Sequence, residues 1–153
     1  MKITRFEDLK CWQEARKLVN MVYEAIKNSP QFQKDFRLVG QITDASVSSM
    51  SNIAEGFSRR SDKEFIQFLF VSKSSATEVQ SEAYVALDQK YISQDEFQKI
   101  YDQAEKVSRM DSGLITYLLQ TEKKPKKLNK LNRLNEPNKP KRHERRDKPG
   151  RLE

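Results

Sequence analysis

The chain has 153 residues, room for one domain with its own core, yet only 36% are apolar and the mean hydropathy is −0.87. Its net charge of +7 is unevenly placed: residues 1–120 hold 16 Lys and Arg against 17 Asp and Glu, whereas residues 121–153 hold 13 against 5. A single cysteine, Cys11, excludes an intramolecular disulfide; a single histidine, His143, excludes histidine-based catalysis in the body and most zinc sites.

The opening stretch MKITRFEDLKCWQEAR is charged and lacks the apolar run of a secretory signal. No segment approaches the ~18 apolar residues of a membrane span, so a cytoplasmic protein is expected. Apolar residues then recur three and four apart, the period of helices. A first helix is predicted from about Leu9 to Asn28, with Leu9, Trp12, Leu18, Val22 and Ile26 on one stripe. Ser29-Pro30 ends it, because proline cannot continue a helix and restricts the residue before it.

A second helix is predicted from about Asp35 to Glu55, crowded with Ala45, Ser46, Ser48, Ser49, Ser51 and Ala54. Serine is a mediocre helix former, so this composition points to close helix–helix approach. In the corner that follows, Gly56 fits a left-handed residue beyond a helix ending at Glu55. Ser61 and Glu64 have the spacing of a capping box, and Asp62 suits a helix N-terminus. Asn52 and Glu55 have no local structural need.

The third helix, about Ser61 to Gln89, carries Phe65, Phe68, Ser72, Ala76, Val79, Ala83 and Ala86 in a coiled-coil-like seam. It is also apolar on its other side, at Ile66, Phe70 and Tyr84, which predicts burial against a second subunit. The fourth helix, about Gln94 to Leu119, offers Phe97, Ile100, Ala104, Val107, Leu114 and Leu118. A strict heptad places Asp111 in its seam, and a slight rotation that substitutes Met110 is expected instead, because an unpaired buried carboxylate is costly. Short connections make an all-α, antiparallel up-down four-helix bundle the economical fold, over residues 1–120. Residues 121–153, rich in Lys, Arg, Asn and Pro and without aromatics, are expected to form a disordered basic C-terminal tail.

Phe6-Glu7-Asp8-Leu9 with Trp12-Gln13 and Ala15, then Ser48 and Ser51-Asn52-Ile53-Ala54-Glu55-Gly56, then Lys63-Glu64-Phe65, Phe68-Leu69, Ser75 and Glu78 together resemble one family. These are the four-helix-bundle proteins encoded in intervening sequences of bacterial 23S ribosomal RNA genes. The resemblance covers about residues 4–120. It implies a ring-like homopentamer, similar in fold to accessory proteins of diversity-generating retroelements that bind reverse transcriptase and nucleic acid. It supplies no catalytic residue. Thr43 and Asp44 stand where the family tends to have a basic residue, and Asp111 where it is usually apolar.

The residues themselves offer no nucleophile with a visible base partner. Glu55, Asp62 and Glu64 could in principle hold Mg²⁺ for a nuclease, but caps and ion pairs account for them more simply. No catalytic residue, metal or cofactor is therefore expected. Two readings remain. In the first, a non-enzymatic homo-oligomer binds RNA or DNA phosphates through Arg59, Arg60, Lys63 and Lys73 and through the tail. The tail contributes Lys123, Lys124, Lys126, Lys127, Lys130, Arg133, Lys139, Lys141, Arg142, Arg145 and Arg146. In the second, the oligomer is a scaffold that holds a partner enzyme such as a reverse transcriptase, and nucleic acid is incidental.

Overall fold

The structure, a computed structural model, describes residues 3–123. Every regular element in that range is helical: a 3₁₀ turn at Phe6–Asp8, then α1 (Lys10–Asn28), α2 (Pro30–Lys34), α3 (Phe36–Phe57), α4 (Asp62–Asp88) and α5 (Gln94–Lys123). The expected basic tail lies almost wholly outside the described residues. α5 continues past the expected boundary to Lys123.

Polar side chains set the helix starts. The Ser29 hydroxyl accepts from the Phe32 N–H at 3.2 Å with Pro30 in the first turn, so the residues that stop α1 also start α2. Asp35 then caps α3 by accepting from the Leu38 N–H at 3.1 Å. Ser61 caps α4 through the Glu64 N–H, and Ser93 caps α5 through the Glu96 N–H while Glu96 reciprocates to the Ser93 N–H. Between α4 and α5, Lys90 takes a left-handed φ of 60°. The Tyr91 N–H reaches Ala86 O and the Lys90 N–H reaches Leu87 O, which satisfies the carbonyls at the end of α4.

α4 packs on α3 and on α5, and α1 packs on the same two helices. The centre is filled by Leu18, Val22, Ile42, Ile53, Leu69, Val79 and Val107, with alanines at 15, 76, 83, 86 and 104 fully buried between them. Because α4 has a neighbour on each flank, it buries more than its expected seam. Ile66, expected on the free face, is only 5% exposed and belongs to the chain's own core. Phe70 and Tyr84 remain about half exposed.

Two further expectations are overturned. Gly56 does not leave the helix: α3 runs on to Phe57, and no described glycine has a positive φ. Gly56 is buried because α4 comes so close that a Cβ there would lie 2.7 Å from both Phe65 Cδ2 and Phe68 Cβ. The requirement is space and not backbone freedom. The rotation of α5 is also absent. Asp111 is fully buried in the seam, and Met110 only partly so. The Ser72 hydroxyl donates to Asp111 Oδ2 at 2.6 Å, while Oδ1 has no partner. Burial raises the Asp111 carboxyl to about 7, against smaller opposing effects from Ser72, Lys73 and Cys11. A neutral acid avoids most of the cost that argued for rotation. The Cys11 thiol is in turn pushed up to about 12, first by burial and then by Asp111.

Replacing Gly56 with Ala should destabilise the fold by roughly 1–3 kcal/mol through overpacking. Gly40→Ala, at a helical site with nothing within 4 Å of the added carbon, should stabilise it by up to about 1 kcal/mol. Urea unfolding of both variants measures the contrast. Asp111 gives a pH signature. Its carboxyl binds a proton more tightly folded than unfolded, so stability should fall as pH rises from about 4 to about 7. Asp111→Asn should be less stable than the parent at pH 5 and at least as stable at pH 8. An equal loss at both values would contradict a neutral carboxyl.

Candidate functional site

The corner between α3 and α4 brings together the residues that sequence alone left unexplained. On the inner face of α3, Ser48 and Ser49 lie against Ser75 and Ser72 of α4, and Asn52 braces Ser48 from within α3. The Ser48 and Ser75 hydroxyls are 2.9 Å apart and the Ser49 and Ser72 hydroxyls 3.3 Å apart. Asn52 Nδ2 donates to Ser48 O at 2.8 Å and to Ser48 Oγ at 3.0 Å. The hydroxyls thus form cross-helix rungs, and the Ser49–Ser72 rung continues to Asp111 on α5. Small side chains allow the approach, and each hydroxyl satisfies the other where water is excluded.

Glu55, one turn beyond Asn52, faces solvent and forms an ion pair with Arg59. The Arg59 guanidinium also sits 4.7 Å from the centre of the Phe68 ring. Arg59 is therefore held in place by a carboxylate and an aromatic face. Arg60 and Lys63 are exposed and have no ion pair among the described residues. The Ser61 hydroxyl donates to Glu64 at 2.8 Å, and Asp62 accepts from the Thr121 hydroxyl at 3.2 Å. That last contact places the end of α5 beside the corner.

Of the body cations expected at a phosphate site, Arg59, Arg60 and Lys63 are brought together, with Arg59 already engaged. Lys73 is separate, about 15 Å further along α4 at 1.5 Å per residue. It is half-buried and contributes favourably to the charge on Glu105 and Asp111. The Lys123 side chain and the cations from Lys124 to Arg146 lie outside the described residues. Among those described, no group of three or more His, Cys, Asp or Glu side chains could hold a metal ion, and no helix is long and apolar enough to cross a membrane.

A further carboxylate, Glu14, is held down to about 2 by hydrogen bonds from Lys17 and Gln103 and, to a lesser degree, Lys106, against an opposing effect of burial. It clamps α1 to α5 and needs no other role. Glu82 is different and was missed by sequence reasoning. It is 9% exposed, its Oε2 has no hydrogen-bond partner, and burial followed by Glu78 and Asp44 raises it to about 7. The available signal was a like-charged pair four residues apart on one helix, Glu78 and Glu82.

Residues 7–113 match the family model described as 23S rRNA-intervening sequence protein. No curated protein matches the chain. Among solved structures, the fold is similar to that of a protein of unknown function from the S23 ribosomal protein family of Bacteroides thetaiotaomicron VPI-5482. The TM-score is 0.62 at 19% identity, over 69% of this chain and 97% of that one.

The geometry separates two neighbouring corner residues. Asn52→Ala removes two hydrogen bonds at a partly buried helix contact, which should cost about 1–2 kcal/mol. Glu55→Ala removes one exposed ion pair, which is worth under about 1 kcal/mol. Thermal unfolding should therefore rank Asn52→Ala below Glu55→Ala, and the reverse order would contradict a structural role for the Asn52–Ser48 hydrogen bonds.

Proposed function

The chain belongs to the 23S rRNA-intervening sequence protein family, and from that premise we propose that it is a non-enzymatic cytoplasmic oligomer that binds the phosphate backbone of RNA or DNA. The observation that carries this reading is the partition of charge. Residues 1–120 have a net charge of −1 and residues 121–153 a net charge of +8. Thirteen cations interleaved with Asn and Pro, without aromatics, suit phosphate neutralisation without base reading. The described chain ends beside Arg60 and Lys63, the two exposed cations of the corner without ion pairs among the described residues.

The body in this reading is an antiparallel up-down four-helix bundle. Residue pairings support it. Between α3 and α4, Ser49 meets Ser72 and Gly56 meets Phe65; between α4 and α5, Ser72 meets Asp111 and Gln80 meets Tyr101. In each case one number rises as the other falls. Oligomerisation is supported by the exposed apolar residues of α4, Phe70, Val71, Tyr84 and Val85, and the family resemblance gives five as the number of subunits. Several tails on one assembly would supply avidity that one tail lacks. The absence of catalysis is supported by the corner, where Glu55, Asp62 and Glu64 each serve a local structural contact.

A second reading, a scaffold for a partner enzyme, is favoured by one specific observation: the body is slightly acidic and carries an exposed apolar stripe, which suits a protein partner better than a polyanion.

Titration of labelled RNA with the full chain and with a 1–123 truncation, at low and moderate salt, distinguishes the two. The full chain should bind with steep salt dependence, and the truncation should bind at least about tenfold more weakly. Tight, salt-resistant binding by the truncation would move the site onto the body, and no binding by either would favour the scaffold.

A further inference from the structure

The outer side of α4 has a composition that the isolated chain does not use. Phe70, Val71, Tyr84 and Val85 are between 44% and 50% exposed and recur along one helical stripe. One edge of that stripe, towards α3, carries Glu78 and Glu82 beside Asp44. Around the helix on the opposite edge, towards α5, lies Lys73 beside Glu105. The surface is therefore apolar in the middle and acidic on one border, and its other border carries the cation Lys73 beside Glu105.

Glu82 is the unusual member. A carboxylate this deeply buried normally has a cation or several donors; Oε2 of Glu82 has none, and the hydrogen-bonded neighbour of the carboxyl is another acid, Glu78. Its surroundings add two further acids and no ion pair among the described residues. Resting on the oligomeric reading above, we propose that this stripe is the subunit interface and that Glu82 is a receptor for a lysine or arginine side chain delivered by the neighbouring copy. The acidic site is incomplete in one chain and is completed by the second. The placement of acid on one border and Lys73 on the other lets a second copy of the same stripe bring its cation to the Glu82 site.

A pH dependence follows. In the separate chain the Glu82 carboxyl is raised to about 7 by burial, Glu78 and Asp44. A cation arriving across the interface favours the carboxylate, so assembly releases a proton and strengthens as pH rises through 7. No other titratable group is among the causes acting on Glu82.

Sedimentation equilibrium of the full chain at pH 6 and pH 8 tests this, with Glu82→Gln and Phe70→Glu beside it. The parent should associate about tenfold more tightly per contact at pH 8 than at pH 6. Glu82→Gln, equal in shape and neutral, should associate more weakly than the parent at pH 8 and show a flatter pH profile. It retains His143 and Asp111, so its profile subtracts their contributions. Phe70→Glu should be largely dissociated at both values, with helix content by circular dichroism unchanged in each variant. A parent that is a single chain at both pH values would overturn the oligomeric reading itself. An oligomer with no pH dependence, or a Glu82→Gln variant that assembles like the parent, would overturn the receptor alone. Normal assembly of Phe70→Glu would displace the interface from this stripe.

Discussion

The close approach of α3 to α4 is the constraint from which the other features follow. At Gly56 there is no room for a single additional carbon, and over the preceding two turns the contacting side chains are Ser48, Ser49, Ser72 and Ser75. Large side chains would hold the helices apart. Small ones let the backbones approach, at the expense of buried apolar area. Here the deficit is partly offset by dispersion at short range and by hydroxyls that pair across the contact. With α3 this close on one flank and α5 on the other, α4 buries both flanks, and its outer face, including Phe70, Val71, Tyr84 and Val85, remains exposed.

The hydroxyl rungs also explain how a carboxylate can occupy the core. Asp111 stands at the end of the Ser49–Ser72 rung, where one oxygen is satisfied and the other is not. A protonated Asp111 is a tolerable neighbour for Cys11 and the surrounding apolar groups, whereas a charged one is not. Removing such a group often costs little, while half-satisfying it is expensive. The Asp111 contribution therefore favours the folded core at acidic pH and fades as pH approaches 7. The same physics acts on Glu82 at the surface of α4, where the missing partner lies outside the chain.

Most of the helical layout was legible because the caps are local. Ser29-Pro30, Asp35, Ser61 with Glu64, and the start at Gln94 each act within four residues, a range over which sequence and structure correspond closely. The tertiary requirements were not legible in this way. Gly56 has the position of a helix terminator, and only the distance to Phe65 and Phe68 shows that it is a spacer. Asp111 satisfied the heptad, but cost arguments against a charged carboxylate favoured Met110, because neither the Ser72 hydroxyl nor the neutral form could be inferred from α5 alone. Ile66 was assigned to the outer face because a second buried flank of α4 cannot be distinguished by periodicity from a subunit contact. For Glu55 the sequence offered Arg59, Arg60 and Lys63 as partners, and only the placement of Arg59 over the Phe68 ring singles out Arg59.

Native-state hydrogen exchange measures the dependence of the fold on the α3–α4 contact most directly. If that contact is the last to open, the amides of Ser49, Ile53, Ser72 and Val79 should exchange only through global unfolding, with denaturant dependence matching the equilibrium transition. The α1 amides should then exchange through smaller, local openings. Exchange of the α3–α4 amides by local fluctuation, with α1 and α5 the more protected pair, would contradict the account.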